Sequence, residues 1–208
     1  MNIKASDFDT VFSINQHKKK AKTKNKELAY CLDNVKSDGL HLEFGVYRGR
    51  SISFCANYKP DRHFYGFDSF EGFPESFQWN KNRKYTKGDY SSQGIPNVPQ
   101  NVTLIKGFFE KSLPGWWEEN KESIAFINID CDLYSGCLFV LNCLDNYIGD
   151  TVIRFDELCQ WSSGSGASDY TNWKEGEYKA LMEWSKEKKR KFVPLCRTDL
   201  QSGSILVL

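Results

Sequence analysis

The chain has 208 residues, with 28 Lys and Arg set against 27 Asp and Glu, a net charge of +1. That length suits one α/β domain of ordinary size, roughly 100–200 residues, and so even a charge balance supplies no whole-molecule field to gather nucleic acid or anionic lipid. No run approaches the roughly 20 apolar residues of a membrane span, and the opening MNIKASDFDTVFSINQHKKK lacks the apolar core of a secretory signal; the expectation is a cytoplasmic protein without nucleic-acid or membrane partners.

In chain order, His17 to Lys26 is a lysine-rich run with almost no apolar face, which reads as a solvated helix end or loop rather than a surface for an anionic partner. Residues 1–40 as a whole read as a polar, partly helical extension of a single domain spanning 1–208. Glu27 to Val35 suits a short amphipathic helix with Leu28, Leu32 and Val35 on one side. Leu42, Phe44 and Val46 mark a first strand, broken by Gly45, Gly49 and Ser51, and SISFCANY follows as a helix. HFYGFDSF is a second strand ending at Asp68. From Glu71 to Pro99 the chain is polar and rich in Gly, Pro, Asn and aromatics, the composition of a lid or an insertion.

NVTLIKGFF and SIAFINIDCD are a third and a fourth strand, SGCLFVLNCLDNY a helix, and DTVIRFDE a fifth strand. After the loop WSSGSGASD, Glu175 to Glu187 alternates Tyr178, Leu181, Met182 and Trp184 with charge, as a half-buried helix does. KFVPLCRTDLQSGSILVL closes the chain as two strands around a turn. Strands separated by helical stretches predict a mostly parallel sheet covered on both faces. The closing pair, with no room for a helix between them, predicts one antiparallel strand near the C-terminus. The seven cysteines, three of them at Cys131, Cys137 and Cys143 in one apolar run and none in a Cys-x-x-Cys pair, read as small buried residues rather than a zinc or disulfide framework. His17, His41 and His63 fall outside every motif and read as structural.

Three groups of residues carry chemistry. The turn Glu43-Phe-Gly45-Val-Tyr47-Arg-Gly49-Arg-Ser51 joins a strand to a helix, where glycine lets the backbone approach a ligand and free helix N–H groups receive a polar one. Its Gly-x-x-x-Gly spacing is not that of a dinucleotide turn, and it lacks the Lys-Ser/Thr of a phosphate-cradling loop. Asp68, about twenty residues on, stands where nucleoside-binding α/β folds grip the ribose hydroxyls, although a strand-end Asp can equally serve as a turn former. Asp130 and Asp132 follow one apolar strand, and Asp156 and Glu157 the next. Carboxylates crowded at neighbouring strand ends repel unless a cation or a shared proton relieves them, and oxygen ligands suit Mg²⁺ or Ca²⁺ better than zinc.

LEFGVYRGRS, YGFDSFEGFPE, KGFFEKSLP, INIDCDLYSG, VIRFDE and WKEGEYKALMEW resemble, in order and spacing, the TylF/MycF-type macrolide-sugar O-methyltransferases. The resemblance runs from about Leu42 to the C-terminus. It implies a Rossmann-like class I methyltransferase fold with a seven-stranded sheet, S-adenosylmethionine as methyl donor, Mg²⁺, and a small-molecule hydroxyl as acceptor, in a chain that can form a homo-oligomer. It assigns Glu43, Gly45, Tyr47 and Ser51 to the methionine end of the cofactor. Asp68 with Ser69 and Phe70 falls to the ribose, and Gly107 and Phe108 to the adenine. Asp130, Asp156 and Glu157 match the metal positions. Asp132, beside Asp130, matches the catalytic general base.

Two departures stand out: Glu157 replaces the family's more usual Asp, and the segment before Leu42 is short for an acceptor cover. The rival readings are an Asp-x-Asp glycosyltransferase built on Asp130-Cys131-Asp132, and a cofactor-binding protein without turnover. Phe73, Phe77, Trp79, Tyr85 and Tyr90 either wall an acceptor pocket or form a local core or subunit contact.

Overall fold

The computed structural model describes residues 21, 23–159, 170–198 and 201–208. Nine strands and five α-helices are described: α1 (Lys24–Asn34), β1 (Leu40–Phe44), α2 (Arg50–Tyr58), β2 (Phe64–Asp68), β3 (Phe77–Gln78), β4 (Lys84–Tyr85), β5 (Val102–Lys106), α3 (Phe109–Glu119), β6 (Ile124–Ile129), α4 (Tyr134–Leu144), β7 (Ile148–Phe155), α5 (Glu177–Glu187), β8 (Phe192–Arg197) and β9 (Gly203–Val207).

Seven of the strands form one sheet in the order β5-β2-β1-β6-β7-β9-β8. The pairs from β5 through β7 are parallel, and β9 runs antiparallel to both β7 and β8. The mostly parallel sheet and its single reversed strand are as the element pattern predicts. β1 and β6 are buried along their whole length; β6 reads accordingly as a nearly unbroken apolar run, whereas β1 buries His41 and Glu43 between its apolar residues. Pro194 sits in β8, an edge strand, where its missing N–H costs no central ladder bond.

Side chains alternate across the sheet and build two cores. Leu42, Phe44, Ile127 and Ile153 face α3, α4 and α5 through Leu113, Val140, Leu141 and Trp184. Phe64, Phe126 and Val152 face α1 and α2 through Leu28, Leu32 and Ile52. Helix α1 is therefore integral to the fold, and this part of residues 1–40 is no polar appendage: Leu28, Cys31 and Leu32 are buried, and α1 packs on α2, β7 and β8.

No element is read from the sequence between NVTLIKGFF and SIAFINIDCD, yet α3 lies there and carries Pro114 inside it, with Gly115 next to it a local break signal. Burial of Leu113 and Trp117 against the sheet overrides that local signal, since tertiary packing rather than propensity supplies most helical stability. Within the long polar segment, β3 and β4 pair as a small antiparallel hairpin. All seven cysteines are free, six of them buried, as expected. His41 is buried edge-on against Phe64 at 5.1 Å, and burial pushes its pKa down to about 4; it is a core residue. His17 and the Gly/Ser loop WSSGSGASD lie outside the described residues.

Strand order reverses between β1 and β6, because the chain builds outward from β1 to β2 and β5 and then crosses back. In open α/β sheets ligands bind in the crevice at the carboxyl ends of the strands at such a reversal. The register places the relevant tips side by side: Phe44 pairs with Phe67 and with Ile129, and Ile129 pairs with Phe155. The residues that follow them are Gly45, Asp68, Asp130 and Asp156.

A candidate active site at the strand tips

A cavity of about 650 Å³ opens over these tips, within the range of small-ligand sites. Gly45, Tyr47, Ser51, Asp68, Ser69, Phe108, Asp130, Asp132, Asp156 and Glu157 line it, so ten of the residues singled out from the sequence meet in one space. Glu43, Phe70 and Gly107 are not among its lining residues; Glu43 bonds Ser51, which is.

On the β1 side, backbone and side chains satisfy one another. Gly45 has φ 93°, and a Cβ there would lie 1.9 Å from the Asp130 carbonyl oxygen, so only glycine lets the β1 and β6 tips approach this closely. Asp68 Oδ2 accepts the Val46 and Tyr47 N–H groups at 2.8 and 2.7 Å, and Oδ1 accepts the Phe70 N–H at 2.7 Å. Asp68 thus anchors the glycine turn, the turn-former role open to it from sequence. A carboxylate offers about four lone-pair sites, so one remains for a ligand. Phe70 N–H is spent on that anchor, and Gly107 N–H on the Asp68 carbonyl at 2.9 Å.

Beneath the turn a polar row crosses the sheet in register, Glu43 against Asn128 and Asn128 against Arg154. Glu43 accepts Ser51 Oγ at 2.8 Å and Asn128 Nδ2 at 2.9 Å. Arg154 donates to Asn128 Oδ1 at 2.9 Å, to Glu27 Oε2 at 2.8 Å and to Asp156 Oδ1 at 2.5 Å. Burial, and after it the nearby Asp130, raises the Glu43 pKa to about 7. Asn128 and Arg154 each stand two residues before a cavity aspartate, on the same strand face. A polar residue inside an otherwise apolar strand is the one sequence signal that marks them.

The β6 and β7 side is different. Carboxylate oxygens of Asp130, Asp156 and Glu157 lie within 4.8 Å of one another. Burial, followed by the charge of Asp156, raises Asp130 to about 6, and burial with Asp130 and Asp156 raises Asp132 to about 8. Burial also drives Glu157 upward, with Asp132 and Asp156 adding to it. Asp156 alone moves down: against its burial, the Arg154 guanidinium and then the Lys24 ammonium hold it ionised. Glu157 Oε1 accepts Gln201 Nε2 at 3.1 Å, while Oε2 is buried without a hydrogen-bond partner. Three convergent oxygen donors, one with an unused buried lone pair, fit a hard divalent cation.

Two residues of this region escape sequence reasoning. Glu177, at the start of α5 and fully buried, accepts the Cys131 and Asp132 N–H groups through Oε1 and the Glu157 N–H through Oε2, each at 3.1 Å. One side chain thereby ties the β6 and β7 loops together and helps hold Asp132 at φ 61°. Lys24 Nζ lies 2.5 Å from Asp130 Oδ2 and 3.0 Å from Asp156 Oδ1. The lysine-rich run is therefore not uniformly a solvated face: Lys26 is exposed, whereas Lys24 reaches the cavity floor.

The aromatic segment both lines the cavity and packs as a local cluster. Phe73, Trp79, Tyr85 and Tyr90 line the cavity and also pack on one another, with Phe73–Tyr90 at 5.3 Å and Tyr85–Tyr90 at 5.4 Å. Phe77 packs behind them on Phe73 at 5.1 Å. Tyr170 stacks on Trp79 at 4.1 Å and fastens the cover to the segment before α5.

Residues 17–162 match the family described as Macrocin-O-methyltransferase (TylF). Among solved structures, the chain is similar to CalS11, a calicheamicin methyltransferase, at 19% identity and TM-score 0.63, covering 98% of this chain and 80% of that one. The O-methyltransferase NovP aligns at 15% identity and TM-score 0.58, over 88% of this chain and 78% of that one. TomG, an O-methyltransferase from Streptomyces achromogenes involved in tomaymycin synthesis and solved in complex with SAM, aligns at 12% identity and TM-score 0.52, over 98% and 87%. At these identities the solved structures speak for the fold alone. A search of curated protein sequences found no match.

Proposed function

Since the chain belongs to the macrocin-O-methyltransferase (TylF) family and is an O-methyltransferase, we propose that it uses S-adenosylmethionine and a divalent cation of the Mg²⁺ type to methylate a hydroxyl of a small molecule, a sugar of a natural product or glycan. We further propose that residues 1–208 act as one methyltransferase domain. The observation that carries this reading is the single cavity in which the Gly45 turn faces the Asp130–Asp156–Glu157 oxygens across adjacent strand tips.

S-adenosylmethionine supplies an electrophilic methyl group on a sulfonium. Gly45, Tyr47, Ser51, Asp68, Ser69 and Phe108 would receive it, with the remaining Asp68 lone pair for a ribose hydroxyl. Glu43 contributes by holding Ser51 in place. Asp130, Asp156 and Glu157 would hold the cation, whose charge lowers the pKa of an acceptor hydroxyl and of the carboxyls around it. Asp132 would take the hydroxyl proton as the oxygen–methyl bond forms and the sulfur–methyl bond breaks to leave S-adenosylhomocysteine, a contribution typically worth roughly 10²–10⁴-fold. The aromatic cover stacks on the acceptor and excludes water. Alignment of acceptor oxygen and methyl within one closed space supplies much of the remaining acceleration.

Thermal-shift titration with S-adenosylmethionine, S-adenosylhomocysteine, UDP- and GDP-sugars and NAD, each with and without MgCl₂, tests the cofactor assignment. Stabilisation by the two adenosyl ligands alone is expected. Stabilisation by a nucleotide sugar and Mg²⁺, without response to S-adenosylhomocysteine, would replace this reading with the glycosyltransferase one.

A further inference from the structure

Lys24 is the first residue of α1, whose N-cap Thr23 accepts the Lys26 N–H at 3.3 Å. A four-carbon arm from that helix start ends between Asp130 and Asp156, 106 residues along the chain from the first of them. Arg154 already pairs with Asp156 from below. Lys24 is thus the cation that serves Asp130, and it does so on the cavity side, with 40% of its side chain exposed.

Two of the three oxygens that would hold a divalent cation are the two that the ammonium contacts. Oxygens bind Mg²⁺ at about 2.0–2.1 Å, so a metal seated on Asp130 and Asp156 would come within contact distance of Nζ in its present position. The two cations would repel and compete for the same lone pairs. The ammonium is a flexible, easily rehydrated point charge, and its partial exposure gives it a way out to solvent.

We propose that Lys24 is a built-in counter-ion for the metal site: it holds Asp130 and Asp156 together while no metal is bound, and it must withdraw for a divalent cation to enter. This inference rests on the metal-site reading above. Its consequence is that metal loading and the position of the Lys24 side chain are linked. Linkage makes the competition reciprocal.

Isothermal titration of the metal-stripped full chain with MnCl₂, at fixed pH and ionic strength, tests it on the wild type, Lys24→Met and Lys24→Arg. Removing the competitor is expected to tighten Mn²⁺ binding by roughly 5–150-fold, the usual range of a coupling between two ligands, while Lys24→Arg keeps the charge and stays close to wild type. In EDTA, Lys24→Met is expected to melt below wild type, and saturating MnCl₂ to erase that gap. Equal or weaker Mn²⁺ binding by Lys24→Met overturns the proposal, since a merely structural lysine would move both readouts downward.

A measurement on the wild type needs no variant to fold. Acetic anhydride labelling read by mass spectrometry should modify Lys24 more readily once MnCl₂ is added, with exposed Lys26 unchanged; no gain at Lys24 overturns the proposal. If the wild type fails to bind MnCl₂ at all, the metal-site reading falls and takes the proposal with it. If it binds and only the Lys24 effects are missing, the proposal falls alone.

Discussion

The two halves of the cavity floor solve the problem of buried acid groups in opposite ways. At the β1 and β2 tips, Asp68 is matched by three backbone N–H groups and Glu43 by Ser51 and Asn128. At the β6 and β7 tips, Asp130, Asp132 and Glu157 all have raised pKa values, and Glu157 Oε2 is buried without a partner. Buried polar groups are normally satisfied. One half is therefore complete within the chain, as suits a rigid cradle for a ligand. The other is short of positive charge, as suits a site completed by a cation.

That contrast predicts which function each substitution disturbs. The largest effect is expected from Asp156→Asn, which keeps an oxygen for Arg154 and removes the charge. Methyl transfer should fall by at least about a thousandfold, because a catalytic cation supplies several kcal/mol of transition-state stabilisation, while S-adenosylhomocysteine affinity stays within a few-fold. Parallel loss of both in steady-state kinetics and calorimetry would break the division between the halves.

Glu177→Ala leaves three N–H groups without an acceptor, those of Cys131 and Glu157 buried and that of Asp132 partly so. Each such orphan costs about 1–3 kcal/mol, partial relaxation reduces the sum, and urea unfolding should show a loss of about 2–4 kcal/mol. The same variant should weaken Mn²⁺ binding, since the loops bearing Asp130, Asp132 and Glu157 are no longer tied. Unchanged stability would remove Glu177 from its positioning role.

Glu43, though matched on the β1 side, is buried with a raised pKa and makes stability depend on pH. Burial lifts its folded pKa to about 7, above the ordinary value of 4.5, so folding favours its neutral form. The resulting stability is present in full below about pH 4.5 and is lost as pH rises through about 7. The shift caps this contribution at about 3 kcal/mol. Melting of the metal-free protein between pH 5 and 7.5 should therefore decline less steeply in Glu43→Gln than in wild type. An identical slope would mean that burial, with Asp130 beside it, does not raise Glu43 in the folded protein. The smallest effect belongs to Asp68→Asn, which weakens the anchor of the turn: S-adenosylhomocysteine binding should drop about tenfold, about 1.4 kcal/mol, with Mn²⁺ affinity unmoved in the same titration.

What was legible in the sequence divides along a similar line. β6 and β7 announce themselves through apolar runs, β1 through the alternation of Leu42, Phe44 and Val46, and β2 through HFYGFDSF; the residues closing them sit at the tips because the strands are parallel and in register, and Asp68, Asp130 and Asp156 follow directly. α3 stayed hidden because Pro114-Gly115 is a local break signal that packing of Leu113 and Trp117 outweighs. Lys24 and Glu177 stayed hidden for a different reason. Each acts across a long stretch of chain, on Asp130 in one case and on Cys131, Asp132 and Glu157 in the other. Neither contact has a periodicity or spacing that would reveal it, and a lysine in a lysine-rich run is masked by its neighbours. Glu43 was legible as part of the turn, but its place outside the cavity lining follows from strand alternation and from its pairing with Asn128.

The most direct measurement is a crystal structure of the full chain grown with S-adenosylhomocysteine and MnCl₂, with anomalous differences collected for manganese. The expected result is one strong manganese peak among Asp130, Asp156 and Glu157, Lys24 turned away from it, and the homocysteine end of the ligand at the Gly45 turn in the same cavity. Manganese bound elsewhere, or the ligand seated away from that turn, would contradict the two-part site on which the proposed chemistry depends.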